Sequence, residues 1–404
     1  MTTRMQYPVL AAAQELVTGL GLGAAVELPD EAAEAVEPAE GWKQSGAAAL
    51  TACDAGPPGD IAASLRGAAL ALRVLSRRIG KEVNIDGPAL LSERENLCLE
   101  RHEPRPGMTL RGGGQTLRAA DGWVAANLPR DADWELVPAL ALGSVEPRDD
   151  AAFAAWMTQQ HSKDVVEQSA LLGLAVGAIP RPGRTDIQHS PYDFEPTGQS
   201  PPRLLSWLTV MDLSRLWAGP LAGALLASAG ATVVKVESLA QPELVLPEDA
   251  AFARRLNGGK ELLHLDFRDR APLHHALAQA DVVIVSARQR AFDSLGLQPS
   301  PGQLWISISA YGGHRDPNQR VGFGDDAAAE AGAVCWQDDV PVFAGDALAD
   351  PVTGMLAAVA ALGLVGAGWA GTLRLNLAGS PDGLSAPTPT PCLPLHREPL
   401  PPDC

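Results

Sequence analysis

Residues 207–237 read WLTVMDLSRLWAGPLAGALLASAGATVVKVE, and their pattern decides the fold. Trp207 to Leu213 has the composition of a strand, Pro220 to Ser228 that of a helix, and Ala231 to Glu237 that of a second strand. Together they form a βαβ unit. Further apolar strands are expected at 281–285 and 304–308, each after helix-like or loop sequence of suitable length. Strands alternating with helices predict an α/β class, with a doubly wound, parallel, Rossmann-like sheet that offers ligands the carboxyl ends of its strands.

Working outward, proline and glycine from Pro180 to Pro202 mark a linker over 181–202 and set residues 203–380 apart as the principal domain. Upstream, residues 1–104 form an Ala-rich helical region. Asp60 to Ile79 places Ile61, Leu65, Ala68, Leu72, Leu75 and Ile79 on one helical face. Residues 105–180 read as a second, smaller α+β domain. Within it Arg111-Gly112-Gly113-Gly114-Gln115 is a glycine-rich loop leading into a hairpin over Leu117–Leu128 that turns at Asp121-Gly122. The proline-crowded stretch 381–404 has no helical or strand period and is expected to be a disordered tail. Asp60 with its Ala-rich helix can be laid beside Asp350 with its own, a hint that the first region is a worn copy of a Rossmann half.

Composition narrows the function. The 404 residues carry a formal charge of −17 with a pI near 4.9, so the surface field opposes nucleic acid and acidic membranes. Any anionic ligand needs a local basic cluster. The five cysteines show no CxxC pair and no His–Cys cluster at metal-ligand spacing, so reduced thiols and no metal site are expected. Neither a leader-like N-terminus nor about 18 uninterrupted apolar residues occurs, which points to a cytoplasmic protein free of the membrane. The longest apolar run, near Met355 to Trp369, is Ala/Gly-rich and suits a buried helix.

Several residues have the chemistry of a site. Ala218-Gly219-Pro220 puts a glycine where backbone can approach a ligand and a proline at the expected start of a helix. Glu237 ends the next strand, where a dinucleotide fold keeps its ribose ligand, yet Ala-Gly-Pro is not GxGxxG, and a tight turn with nothing bound explains these residues too. Lys235, Arg254, Arg255, Lys260, Arg288 and Arg290 recur at strand ends and in loops. Any one is explained as a solvated face; together, in a chain of −17, they raise the expectation of a phosphate site. Asp350 precedes an apolar helix and is read first as its N-cap, worth about 1 kcal/mol, with a catalytic carboxylate as the competing reading.

A resemblance adds to this. Val210 to Pro220, Gly230 to Glu237, Asn257-Gly258-Gly259-Lys260 with Leu265-Asp266, Ala280 to Ile284, Arg288, Leu295-Gly296-Leu297 and Ser307 to Gly312 resemble, in order and spacing, the opening of the family III CoA-transferases, the carnitine and bile-acid type. In that family an aspartate in an Ala-Asp-x-x-Thr-Gly setting attacks the thioester, and Asp350 in Ala349-Asp350-Pro351-Val352-Thr353-Gly354 matches it. The resemblance implies a CoA-transferase that moves CoA from an acyl-CoA to a carboxylic acid through an aspartyl intermediate. CoA contacts are then expected from Arg215, Ala218, Gly219, Pro220, Lys235, Lys260, Arg288 and Tyr311. No cofactor would stay permanently bound, since coenzyme A arrives as part of the substrate, and a homodimer is implied.

Upstream, Gly112-Gly113-Gly114-Gln115 looks like the family's glycine-rich loop and Ala120 to Val124 like its small-domain strand, with Gly113 and Gly114 as donors and lid. Those parts ordinarily follow the catalytic half, so a permuted or fused order is implied. Two departures concern adenosine binding: Ser286-Ala287-Arg288-Gln289 stands in place of Asn-Phe-Arg-Pro, and no basic residue follows the Lys-Val-Glu strand. Gly324-Asp325-Asp326 replaces the Gly-His-Asp of the racemase branch, which counts against a 2-methylacyl-CoA racemase or epimerase. That chemistry, a non-catalytic CoA-binding protein and a dinucleotide-dependent oxidoreductase are the alternatives.

Overall fold

The computed structural model describes residues 8–19, 36–52, 54–182, 191–243, 245–286, 289–312 and 320–379. Its strands in chain order are β1 Gly114–Arg118, β2 Trp123–Asn127, β3 Ala175–Ile179, β4 Tyr192–Gln199, β5 Thr209–Asp212, β6 Thr232–Ser238, β7 Glu261–Leu265, β8 Val282–Val285, β9 Leu304–Ser309, β10 Val334–Gln337, β11 Val340–Phe343 and β12 Trp369–Asn376. A seven-stranded sheet runs in the order β4-β12-β9-β8-β5-β6-β7. Its strands are parallel apart from β4, which pairs antiparallel with β12. β8 is Val-Val-Ile-Val and buried throughout, as a strand covered on both faces must be.

The expected βαβ unit is present. The first strand is shorter at its start than predicted, because 205–207 form a 3-10 turn, and the helix begins earlier, at Ala218. That Ala218–Ser228 helix is apolar all round because it lies between the sheet and the Ala349–Gly366 helix. The latter is long and apolar enough to cross a membrane, but 89% of it is buried inside the protein. Backbones approach closely here: a Cβ on Gly354 would lie 2.6 Å from the carbonyl oxygen of Ala218.

The Ile61–Ile79 helix packs on the Ala349–Gly366 helix, and the apolar face read from the sequence points into the shared core. Asp60 caps it, its carboxylate accepting the Ala63 N–H at 2.9 Å. The smaller domain has its own core around the antiparallel sheet β1-β2-β3 and the helices Asp150–Met157 and Ser162–Leu172.

The segment expected to be a linker differs. Residues 183–190 lie outside the described residues, but the rest of 181–202 contains β4, so this stretch adds an edge strand to the large sheet. Proline is tolerated there because an edge strand has one unpaired side, and Pro196 lies beside the irregularity between Ala370 and Gly371. The proline-rich 381–404 lies outside the described residues.

Candidate functional site

Asp350 is the centre of the site, and the cap reading does not hold for it. The helix starts two residues earlier than expected, at Ala349, so Asp350 sits inside the first turn and Pro351 two places further in than predicted. Its half-buried carboxylate accepts backbone N–H groups from two other helix starts: Ala218, just beyond the carboxyl end of β5, and Gly324, which opens the Gly324–Glu330 helix. Gly324 must be glycine for this approach, since a Cβ there would collide with the Asp350 carboxylate. The neighbouring Ala347 takes a left-handed φ of 48°, a strained conformation for a residue with a side chain.

Two more carboxylates converge. Buried Asp346 is held by Arg94, whose Nε donates to Oδ2 at 2.7 Å while Nη2 donates to Oδ1. Asp325 accepts the Ala347 N–H at 2.8 Å. Burial pushes the Asp350 carboxyl up to about 6, helped by Asp346 and opposed by Arg94 and the two amides. Burial likewise pushes Asp325 up to about 8, with Asp346 adding to the rise and Arg94 opposing it. Burial disfavours the Arg94 cation, but Asp346, Asp325 and Asp350 outweigh that and hold its pKa above the ordinary value.

Next to Gly324 a buried relay leads to the glycine loop. Asp326 accepts from the Tyr311 hydroxyl at 2.6 Å, the Phe323 N–H at 2.8 Å and Asn127 Nδ2 at 3.2 Å. Burial raises Asp326 to about 7 against those three bonds. Asn127 in turn lies against Gly113 and Gly114, which have room for no side chain. The amides of Gly112 and Gly114 are taken by Thr109, at 2.9 Å each, so Gly114 is not a free donor here. The described residues show no direct contact between this loop and Asp350. The two meet through Asn127, Asp326 and Gly324.

The residues expected to contact CoA divide into two groups. Ala218 donates to Asp350, and Gly219 lies so close to Ser214 that a Cβ would overlap it. Exposed Arg215 straps the Ser238–Gln241 turn, its Nη2 donating to the Gln241 carbonyl at 3.0 Å. By contrast, Lys235 and Lys260 are buried framework cations. Lys260 Nζ donates to Asp212 at 2.7 Å, to the Pro220 carbonyl at 2.8 Å and to Asn257 at 2.9 Å, which uses all three of its protons. Lys235 Nζ donates to the Ser214 carbonyl and lies 3.4 Å from Glu243. The cause is Asp212, an acid at the end of a buried strand that needs cations beside it; Lys260 and Lys235 outweigh its burial and keep its pKa low. Tyr311 is buried on Asp326, with the Arg320 guanidinium 3.8 Å above its ring. Glu237 lies 3.7 Å from His264, and Arg288 lies outside the described residues.

These features define a class: an α/β protein with a carboxylate of raised pKa held by amide donors at the carboxyl edge of a parallel sheet. The segment that builds most of this site is similar to the family III CoA-transferases: the model of "CoA-transferase family III" matches residues 205–367. "Probable fatty acyl-CoA transferase Rv3272" of Mycobacterium tuberculosis is 32% identical over 150 residues, covering 33% of this chain and 38% of that protein. An "Acyl-CoA transferase" of Fusarium pseudograminearum is 28% identical over 178 residues, covering 37% of this chain and 39% of that protein. The chain thus spans about two fifths of the length of these relatives. Among solved structures, Rv3272 aligns at 26% identity and a TM-score of 0.41, over 47% of this chain and 58% of that one. A CAIB/BAIF family protein from Brucella suis aligns at 27% identity and a TM-score of 0.39, over 46% and 55%.

Arg94 is the site residue that the sequence did not disclose. Its partner is 252 positions away, and no local pattern announces such a pair. Asp325 was visible in the sequence only as the residue that replaces a motif's histidine, and Asp326 as that motif's aspartate.

Proposed function

We propose that the protein is an acyl-CoA:carboxylate CoA-transferase with Asp350 as its nucleophile. The observation that carries this reading is the carboxylate's setting. Asp350 does not cap its own helix, and its oxygens are met by amides from two other helix starts inside the family-matched segment.

In this reading a carboxylate oxygen of Asp350 attacks the thioester carbonyl carbon, the C–S bond breaks, and a mixed anhydride forms with release of CoA thiolate. The thiolate attacks the aspartyl carbon, expels the donor acid and leaves an aspartyl-CoA thioester. The acceptor carboxylate then attacks the same carbon and frees CoA thiolate, which takes the acceptor's acyl group and restores Asp350. Covalent catalysis divides one hard exchange into easier steps. The amides of Ala218 and Gly324 hold the carboxylate in place, and the Gly113 amide is the loop donor for the oxyanion. Coenzyme A enters with the substrate, with no permanently bound cofactor. The resemblance extends the proposal to a homodimer, and the sequence's own composition to a cytoplasmic one.

The test is incubation with a panel of acyl-CoA thioesters in hydroxylamine, followed by intact mass and peptide mapping. A hydroxamate at Asp350, lost in Asp350→Asn, is expected. Measurable CoA binding with no adduct from any donor would overturn the covalent reading.

A further inference from the structure

Arg94 comes from a stretch that precedes the family-matched segment, yet it reaches the surroundings of Asp350. The stretch is stitched down by polar contacts on both sides. Glu93 accepts from Arg255 at 2.7 Å, Cys98 donates to Asp249 at 3.3 Å, and Arg111 donates to Asp249 at 3.1 Å. Between them Arg94 closes a two-point pair with Asp346, four residues before Asp350. Its guanidinium also lies 5.0 Å from the centre of the Trp217 ring, and Trp217 immediately precedes the Ala218 amide that serves Asp350. Trp217 is wedged from another side by Phe252, at 4.9 Å.

Charge explains why this matters. The groups acting on Asp350 are Arg94 and Asp346, with the amides of Ala218 and Gly324; Asp325 acts on the same Arg94 and Asp346, and Asp326 acts on Asp325. Three carboxylates share one cation. Asp346 is only 3% exposed, so without a partner its charge would be an uncompensated anion four residues before Asp350.

We propose that Arg94 is a positioning residue for Asp350: by pairing with Asp346 and bracing Trp217 it lets Asp350 ionise and keeps the Ala218 amide aimed at it. The catalytic consequence rests on the CoA-transferase reading, but the ionisation does not, so the two fail separately.

The experiment labels aspartate Cγ with 13C, assigns the Asp350 resonance by its loss in Asp350→Asn, and titrates the full chain without ligand over about pH 4.5 to 8.5. Arg94→Met should raise the Asp350 midpoint by about one pH unit, and Arg94→Lys by less, because lysine keeps the charge but not the fork. Asp346→Asn should lower the midpoint, since it removes an anion and leaves the cation. Adding Asp346→Asn to Arg94→Met should bring the midpoint back toward wild type. A merely structural arginine would change the melting temperature of these variants and leave the midpoint where it was, and that result overturns the proposal. Should Arg94→Met not fold, unchanged midpoints in Arg94→Lys and Asp346→Asn overturn it equally.

Discussion

Replacing Asp350 with asparagine should stabilise the protein at neutral pH while removing its proposed chemistry. Burial lifts the carboxyl from 3.8 to about 6, so the folded state favours the protonated form. A raised carboxyl contributes its stability in full below about pH 3.8 and loses it as pH rises through about 6. At about 1.4 kcal/mol per pH unit, holding Asp350 ionised costs about 3 kcal/mol above that range. Asparagine carries no charge to hold, but its amide nitrogen turns one of the two N–H donors, from Ala218 or Gly324, into an unfavourable contact, worth about 1 kcal/mol. Solvent at the half-buried edge reduces the gain further. The expected net effect is about 1–2 kcal/mol of added stability at pH 7.5 and none, or a small loss, at pH 4. Urea denaturation midpoints of both proteins at the two pH values would read it. A D350N protein offset equally at both pH values would refute the claim that burial of this charge is being relieved.

Lys260→Met should cost about 3–5 kcal/mol of stability, because it strands the buried Asp212. A fall in CoA affinity with an unchanged melting temperature would instead return Lys260 to the ligand. With Asp325 at about 8, its carboxyl is neutral at pH 7, so Asp325→Asn should keep kcat within about threefold there. The same change should remove a loss of rate that sets in for the wild type as pH climbs through about 8; a wild-type rate flat to higher pH would show that Asp325 does not titrate beside Asp350. Gly354→Ala gains up to about 1 kcal/mol of helix propensity but forces a Cβ against the Ala218 carbonyl, and overpacking of about 1–3 kcal/mol should win. Thermal melting then falls, and kcat falls with it as the Ala218 amide is displaced.

What the sequence disclosed followed from local physics. Strand β8 was legible because burial on both faces demands a continuous apolar run, β5, β6 and β9 because apolar and β-branched residues dominate them, and the Ile61–Ile79 helix because its period is helical. β4 was hidden because proline and glycine around it look like loop; only its place at a sheet edge makes Pro196 acceptable, and a single chain segment does not reveal that. The lysines misled for a related reason. Lys235 and Lys260 looked like solvated or phosphate-bound cations until their shared partner was known, yet Asp212 was itself the clue, since an acid inside an apolar strand must find a cation.

The site joins stretches that lie far apart in the chain. Arg94 comes from the N-terminal stretch, Ala218 from the helix start that follows β5, Gly324 and Asp325 from a later helix start, and Asp346 and Asp350 from the turn and helix that follow. A single charge-bearing residue in isolation would be read as a cap or a solvated face, and for Asp60 the cap is correct. Asp350 escapes that fate because its helix starts too early for it to cap, which leaves the carboxylate to other backbones. The strain at Ala347 has the same origin: the left-handed turn that brings Asp346 under Arg94 also aims the Ala347 N–H at Asp325, so one turn places all three carboxylates. Loosening the N-terminal stretch would therefore act on Asp350 through charge as well as shape, because it would leave buried Asp346 without its cation.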